Sequence, residues 1–128
     1  MSTIKANTLL HSDGTTTTQP SIPALDQRMA KAWVNFIGQG TVAINSAYNV
    51  SSITDNGTGD YTVNFTVNMA NVNYSMAGMA GANNTSLRSV GQAFSVTAPT
   101  VSAVRLQVAI VDATLADAQR VNAVIFSL

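Results

Sequence analysis

The chain has 128 residues, of which 46% are hydrophobic and 9% are charged, so it can bury the core of one compact domain. Six Lys and Arg residues balance six Asp residues and there is no Glu, which excludes a basic nucleic-acid-binding groove and an acidic tail. The absence of Cys and the single His exclude disulfides, a thiolate nucleophile and most metal clusters.

The sequence contains no segment that is typical of a membrane span or a secretory signal. No apolar run approaches the roughly 18 to 20 residues that a membrane-spanning helix needs. The first residues lack the basic stretch and the apolar core of a signal sequence. We therefore expect no membrane insertion.

Residues 1–20 are predicted to form an extended N-terminal arm. Thr8-Leu9-Leu10 is its only apolar cluster, and residues 12–20 are small, polar and interrupted by Gly and Pro. Ordering a residue costs roughly 1–2 kcal/mol of backbone entropy, which so little apolar surface does not offset. The arm is therefore expected to be either disordered or ordered against a neighbouring protein.

A short helix is predicted over residues 23–33, within a stub of residues 21–34. Apolar residues follow the 3-4-3-4 spacing of two heptads, and Pro23 suits the first helical position. Because about 11 residues are too few for a stable isolated helix, the stripe must pack on the domain or on copies of itself around a symmetry axis. The second possibility makes this stripe the predicted oligomer interface: Ile22, Leu25, Met29, Ala32 and Phe36.

Residues 35–128 are predicted to form one β domain. Residues 61–69 alternate strictly between apolar side chains and Thr or Asn, which indicates a strand with one buried face. Strand patterns recur at intervals of about 8 to 14 residues without long helices between them, which indicates an all-β antiparallel sandwich or jelly-roll-like domain of seven or eight strands. The other patterns are 33–37, 41–44, 48–53, 93–97, 104–111 and 120–128, with a Gly- and Met-rich stretch at 74–82.

The connections between these strands carry their own signals. The Gly-containing links at 38–40 and 54–60 are typical of hairpins. Residues 112–119 are long enough to hold one helical turn. The apolar pattern of 120–128 predicts that the last strand is built into a sheet.

The residues that usually carry catalysis are scarce and scattered. His11 is the only imidazole and lies in the predicted arm, where no packing holds it near a nucleophile. Asp112 and Asp117 share a loop and are explained as solvated loop carboxylates. Residues 55–60 form either a weak Ca²⁺ loop or an ordinary hairpin turn, and the turn is the better explanation. We therefore predict no enzymatic activity, no bound metal and no cofactor.

Two further features concern recognition. The aromatic residues Trp33, Tyr48, Tyr61 and Tyr74 either line a sugar-binding face or pack in the core, and strand patterns favour the core for three of them. Monomers normally solvate their surface with Lys and Glu, and interfaces are depleted in both. The shortage of these residues therefore indicates an obligate oligomer.

Residues 31–67 resemble a small β domain that recurs in tailed-bacteriophage tail fibre and virion appendage proteins. The resemblance lies in residues 31–36, 38–44 and 49–65, and the run Ser-Ile-Thr-Asp-Asn-Gly-Thr-Gly-Asp-Tyr at 52–61 is fairly specific to that group. This run carries no catalytic residue. The resemblance therefore implies a context rather than a reaction.

The resemblance also implies a role for the first residues of the chain. Members of the group often begin with a Thr-rich segment like residues 3–10, which looks like a virion attachment peptide, and the residues it implies are Ile4, Thr8, Leu9 and Leu10. Larger fibres carry the β domain on a trimeric shaft. Here the shaft is missing or reduced to the 23–33 helix, which favours a short projection.

Two structural roles in a virion follow as expectations. The first is a homotrimeric, short tail fibre-like appendage, anchored to other virion proteins through residues 1–20, with host-surface glycan as a further partner. The second is a capsid decoration, cement or head-fibre protein whose arm lies along the shell. A carbohydrate-binding module or depolymerase is a third class, disfavoured because a depolymerase groove needs several acids or a His.

Overall fold

The computed structural model describes residues 3, 5–8, 10–15, 22–26, 28–82, 87–93 and 95–128. Within these residues the chain forms one helical turn and eight β-strands, which confirms the all-β prediction and the expected number of strands. In chain order the elements are α1 (Pro23–Asp26), β1 (Ala32–Ile37), β2 (Ala43–Tyr48), β3 (Val50–Gly57), β4 (Asp60–Phe65), β5 (Ser75–Gly81), β6 (Ser89–Gln92), β7 (Ala103–Ala109) and β8 (Arg120–Phe126).

The strands form two antiparallel sheets of four strands each. The first sheet has the order β2-β1-β8-β5, and the second has the order β3-β4-β7-β6. The consecutive pairs β1–β2, β3–β4 and β6–β7 each stay within one sheet, so the architecture is a sandwich. Because β8 lies between β1 and β5, the prediction that the last strand is built into a sheet is confirmed.

The core lies between the two sheets and takes its side chains from alternate positions of the strands. Phe36 of β1 meets Tyr61 of β4 edge to face, with ring centroids 5.2 Å apart. Phe65 and Tyr74 form a second edge-to-face pair at 5.9 Å. Burying an apolar side chain of this size contributes about 1.5–3 kcal/mol. The largest fully buried side chains are Tyr61, Phe36, Leu106, Ile125, Val34, Val63, Val104, Val108 and Val121.

The predicted helix ends earlier than the spacing of its apolar residues indicates. Only Pro23–Asp26 is helical, and residues 32 and 33 belong to β1. This strand pairs with β2 on one side and β8 on the other, and it buries Ala32 and Phe36 completely. Sheet hydrogen bonds and core burial outweigh the local helical periodicity. The prediction of helix through residue 33 is therefore wrong, and Ala32 and Phe36 belong to the sandwich core.

The sixth strand lies earlier in the chain than predicted. It covers Ser89–Gln92 and pairs with β7, whereas the sequence pattern indicates a strand over 93–97. The N–H groups of residues 96 and 97 both donate to the carbonyl oxygen of Ala93, at 3.1 and 3.0 Å. This turn satisfies backbone groups that a strand would have offered to a sheet. The predicted strand 93–97 is therefore wrong.

Asn49 forms the corner at which the chain passes from the first sheet to the second. Its φ of 54° is a left-handed conformation that Asn adopts more readily than most residues. Its side chain donates to the carbonyl oxygens of Lys31 at 2.9 Å and Val67 at 3.1 Å, and accepts from the N–H of Val67 at 2.7 Å. The last bond takes residue 67 out of the sheet. The strand predicted over 61–69 therefore ends at Phe65.

The β3–β4 hairpin confirms the turn predicted within 54–60. Gly57 pairs with Asp60, so Thr58 and Gly59 form a two-residue connection, and the register shifts between Asp55 and Gly57. Gly59 has a φ of 63°, which a residue without a side chain adopts at little cost. The hairpin leads into β4, which begins with Asp60 and lies in the middle of the second sheet.

The connection from β7 to β8 holds no helical turn at 112–119. Ala113 has a φ of 67°, and Leu115 makes an isolated β-bridge with Ala109. The carboxylate of Asp112 accepts a hydrogen bond from the N–H of Thr114 at 3.0 Å. Hydrogen bonds from Thr114 lower the pKa of Asp112. Turn and bridge contacts thus replace the short helix that the length of this segment allows.

Replacing Tyr74 by Phe is expected to reduce the loss of stability at alkaline pH. Tyr74 donates to the carbonyl oxygens of Thr100 and Ala103, both at 3.1 Å, and burial raises its pKa to about 12. A folded-state pKa above the unfolded value of about 10 stabilises the fold fully below pH 10, and this contribution is lost as the pH rises toward 12. Tyr74→Phe removes that dependence.

Urea denaturation at pH 8 and at pH 11 measures this effect. The wild-type chain should lose more stability between the two pH values than Tyr74→Phe does. Tyr48→Phe, which removes a hydroxyl group from a ring that is 46% exposed, is the matched control. Equal losses in the wild type and Tyr74→Phe would contradict the assignment.

Candidate functional site

The outer surface of the first sheet is largely apolar. Trp33 and Phe126 are each 39% exposed, Tyr48 is 46% exposed and Met79 is 75% exposed. Trp33 and Phe126 alternate along their strands with buried core residues. Tyr48 and Met79 are next to the partly buried Ala47 and Ala80, which pack against the core, so all four side chains point away from the core. We call this surface the outer apolar face; it comprises Trp33, Tyr48, Ala77, Met79, Val124 and Phe126.

A shallow groove of about 420 Å³ crosses the outer apolar face. Trp33, Ala77 and Met79 line it together with Asn35 and Asn122, and none of the residues that line it is charged. The amide of Asn35 donates to Asn122 and accepts from Asn45 at 2.8 Å, so the amides form a row across three strands. Part of their hydrogen-bonding capacity is therefore met within the sheet, and the remaining N–H groups and oxygen lone pairs stay available. A sheet face of this composition resembles the interior of a protein interface more than a solvated surface.

The outer surface of the second sheet has the opposite character. Asp60 accepts two hydrogen bonds from the guanidinium group of Arg105, at 2.7 and 2.9 Å, and one from Gln107 at 3.2 Å. The hydrogen bond from Arg105 is the main cause that lowers the pKa of Asp60, with smaller contributions from Gln107 and Asn56. Asn56 also bonds to Thr62 at 2.9 Å. The charges on this face are thus paired within the chain.

Asp117 is hydrogen-bonded to two other parts of the chain. Its carboxylate accepts from the N–H of Gly59 at 2.7 Å and from the hydroxyl group of Tyr61 at 3.0 Å. Tyr61 also donates to the carbonyl oxygen of Gly38. Burial and the neighbouring Asp117 carboxylate raise the pKa of Tyr61. Asp112 and Asp117 therefore bind separate partners within the long β7–β8 connection.

A second concave site lies at one end of the sandwich, beside the corner between β2 and β3. We call it the corner cleft; it has a volume of about 570 Å³, within the usual range for small-molecule sites. It mixes an aromatic ring, an ammonium group, amides, hydroxyl groups and apolar side chains. The lining residues are Lys31, Tyr48, Asn49, Thr66, Val67, Asn68, Met69, Ala70, Ser127 and Leu128.

Two polar side chains of the corner cleft lack a partner of the usual kind among the described residues: Lys31 makes no ion pair, and Ser127 Oγ makes no hydrogen bond. The ion pairs among the described residues are His11–Asp13 and Arg105–Asp60, and Lys31 belongs to neither. Ser127 is 7% exposed, and its Oγ has no hydrogen-bond partner among the described residues. Leaving a buried polar group unsatisfied costs about 1–3 kcal/mol, so such a group calls for a specific explanation.

The structure does not bring the residues predicted for assembly onto one surface, and it describes only two of the residues predicted for attachment. Ile4 and Leu9 lie outside the described residues, whereas Thr8 and Leu10 are exposed. Ile22, Leu25 and Met29 are also exposed, at 39%, 43% and 41%. Because Ala32 and Phe36 are buried in the core, the five-residue stripe does not form one surface.

Two of the four aromatic candidates lie in the core and two do not. Tyr61 and Tyr74 are buried, so core packing is confirmed for them. Trp33 and Tyr48 instead form a cross-strand pair on the outer apolar face. Strand patterns covered three of the four. The exposed pair was missed because the pattern does not tell which face of the sheet is covered.

The remaining candidates for chemistry make local contacts. Nδ1 of His11 lies 3.2 Å from the carboxylate of its neighbour Asp13. In the 55–60 loop, Asp55 accepts from the N–H of Gly57 at 3.0 Å, and Asp60 is engaged by Arg105. Within the described ranges, no three His or Asp side chains are grouped to hold a metal ion.

Comparison with protein-family models, curated proteins and solved structures found no match to the chain. In the part of the chain that the structure describes, no helix has the length and apolar character needed to cross a membrane. The fold and the surfaces together define a β-sandwich with one apolar outer face, one polar outer face and one mixed cleft.

Proposed function

We propose that the chain is a non-enzymatic structural protein of a bacteriophage virion. In this role it is a short, tail fibre-like appendage that assembles as a homotrimer and is held to other virion proteins by residues 1–20. The observation that carries the proposal is the outer apolar face, because a long-lived soluble protein normally covers such a surface. The resemblance of residues 31–67 to appendage domains supplies the virion context.

The composition of the groove on the outer apolar face, which Tyr48 does not line, favours a second copy of the chain as the cover of that groove. No charged residue lines the groove on this face, and its Asn amides offer both hydrogen-bond donors and acceptors. Around a threefold axis, one part of this face on each copy meets a different part of the face on the next copy. A face without charge allows this contact without like-charge repulsion, whereas a face with one sign of charge does not. The exposed residues Ile22, Leu25 and Met29, which lie before, in and after the helical turn, add apolar surface for the same assembly.

Met79→Asp is expected to convert a trimer into a monomer. Met79 is 75% exposed, so Asp at this position is solvated in a single chain, but it places an unpaired charge in a covered interface. Native mass from light scattering on a sizing column measures the change. Val111→Asp is the matched control because Val111 is 90% exposed in the turn after β7 and should leave the mass unchanged.

The native mass distinguishes the appendage from the decoration protein. A trimer that only Met79→Asp dissociates supports the appendage. A monomeric wild-type chain would overturn the homotrimer and favour the second candidate, a decoration or cement protein that finds its partners on the capsid shell. Labelled antibody at the head rather than at the tail of the particle in electron microscopy would select the same alternative.

A further inference from the structure

We propose that the corner cleft binds an oligosaccharide whose pyranose units carry a carboxylate group. The proposal concerns a single chain and does not depend on a virion role or on trimer formation. A pyranose ring has an apolar C–H face and a polar rim. A site for it therefore needs an exposed aromatic face beside hydrogen-bonding groups, and the corner cleft provides both.

Tyr48 provides the aromatic surface. Its ring is 46% exposed at the end of β2 and lines the cleft beside Asn68 and Thr66, both exposed. Stacking of a sugar on this ring leaves the rim hydroxyl groups facing the amide and hydroxyl side chains around it. The arrangement differs from the groove on the outer apolar face, whose amides are already bonded to one another.

Lys31 gives the cleft its preference for an acidic sugar. It is the only charged side chain among the lining residues, and it belongs to neither of the ion pairs within the described ranges. A carboxylate on the sugar would give the ammonium group a charge-assisted hydrogen bond, which is stronger than one between neutral groups. A neutral sugar of the same shape lacks this bond.

Ser127 is a buried part of the cleft wall. The residue is 7% exposed, and its Oγ is buried and bonds to no described residue of the chain. A sugar in the cleft therefore meets the exposed Tyr48, Thr66 and Asn68 rather than this hydroxyl group.

The walls of the cleft are fixed before any ligand arrives. Asn49 ties the corner to the carbonyl oxygens of Lys31 and Val67, and the N–H of Lys31 donates to the carbonyl oxygen of Ile125 at 2.8 Å. The N–H of Met69 donates to the carbonyl oxygen of Val101 at 2.8 Å on the opposite wall. Little conformational entropy is then lost on binding, which favours affinity.

The test measures binding of three acidic probes to the full chain by saturation-transfer NMR and calorimetry. The probes are tetragalacturonate, a hyaluronan tetrasaccharide and 3′-sialyllactose, each compared with its carboxyl methyl ester. We expect at least one acid to bind, with its ester about tenfold weaker, as loss of a charge-assisted bond predicts. If none of the three acids binds, or if the esters bind equally well, the proposal is wrong.

Variants of the lining residues locate the binding. Lys31→Met should abolish the preference for acid over ester, whereas Lys5→Met, which removes the same charge from an exposed position in the arm, should not. Tyr48→Ala should weaken acid and ester alike by about tenfold or more. Tyr48→Leu, which keeps an apolar side chain, provides a second measurement if the Ala variant does not fold. Unchanged binding in both Lys31→Met and the Tyr48 variant would place the sugar elsewhere and overturn the assignment.

Ser127→Ala is a control within the cleft wall. It removes a buried hydroxyl group that has no partner among the described residues, so the thermal midpoint should stay level or rise and the affinity for the acidic probe should stay unchanged. A loss of affinity as large as that of Tyr48→Ala would contradict the assignment of binding to the exposed lining residues. Native mass is recorded for each variant, so failure of sugar binding is distinguished from failure of assembly.

Discussion

Replacing Gly59 by Ala is expected to destabilise the sandwich by about 3 kcal/mol or more. Gly59 has a φ of 63°, and an added Cβ would lie 2.5 Å from the carbonyl oxygen of Val108 and 2.6 Å from the nitrogen of Ala116. Both are backbone atoms, so no side-chain rotation relieves the clash. The hydrogen bonds from Val108 to Gly59 and from Gly59 to Asp117 would also be strained.

Gly40→Ala is the matched control for the expected effect. Gly40 has a similar φ of 69°, but an added Cβ would meet nothing within 4 Å. Its cost is therefore that of the left-handed backbone alone, about 1–2 kcal/mol. Urea denaturation followed by Trp33 fluorescence measures both variants. Equal losses would show that the close packing of Gly59 contributes nothing beyond its backbone conformation.

Asp60→Asn is expected to lower the free energy of unfolding at pH 7 by about 2–3 kcal/mol, since a charge-assisted bidentate pair becomes one between a charged and a neutral group. The carboxylate of Asp60 accepts from Arg105 and Gln107 in the middle of the second sheet. Its side chain is 11% exposed, so solvent screens the pair only in part. Asp55→Asn, at an exposed position of the same hairpin, should change stability by less than about 0.5 kcal/mol.

The same variant should flatten the acid limb of the stability profile. The hydrogen bond from Arg105 is the largest cause that lowers the folded-state pKa of Asp60. A lowered pKa contributes stability above the unfolded value of about 4, and this contribution is lost as the pH falls through the folded value. Wild type and Asp60→Asn should therefore differ most near neutral pH and converge in acid. Parallel profiles from pH 7 to pH 2 would contradict this role.

Local sequence determined the strands because side-chain alternation is a property of neighbouring residues. The Thr and Asn alternation in β4 and the apolar run of β8 predicted strands that the structure contains. Length and composition predicted one compact domain, and the recurring strand patterns predicted that it is all-β. The Gly-containing 54–60 segment predicted its hairpin, since the conformations that a tight turn needs are favoured residue by residue.

Contacts between distant residues determined the conformation at the places where the local patterns predicted it wrongly. The 3-4-3-4 spacing around residues 22–36 satisfies a helix, but pairing of β1 with β8 places Ala32 opposite Ile125, a partner that local periodicity does not specify. The strand expected over 93–97 was lost to a turn at Ala93. In both places a non-local or competing hydrogen bond settled the conformation.

The candidate surfaces depended on tertiary structure most of all. Composition indicated a charge-poor surface, but only the two-sheet arrangement separated Trp33 and Met79 on one outer face from Asp60 and Arg105 on the other. The corner cleft draws its lining from four parts of the chain, around residues 31, 48, 67 and 127, and no linear motif connects them. Sequence alone indicated most of the strands, because side-chain alternation is a local property. Which strand faces are covered and which side chains converge was decided by the packing of two sheets, because that choice joins residues far apart in the chain.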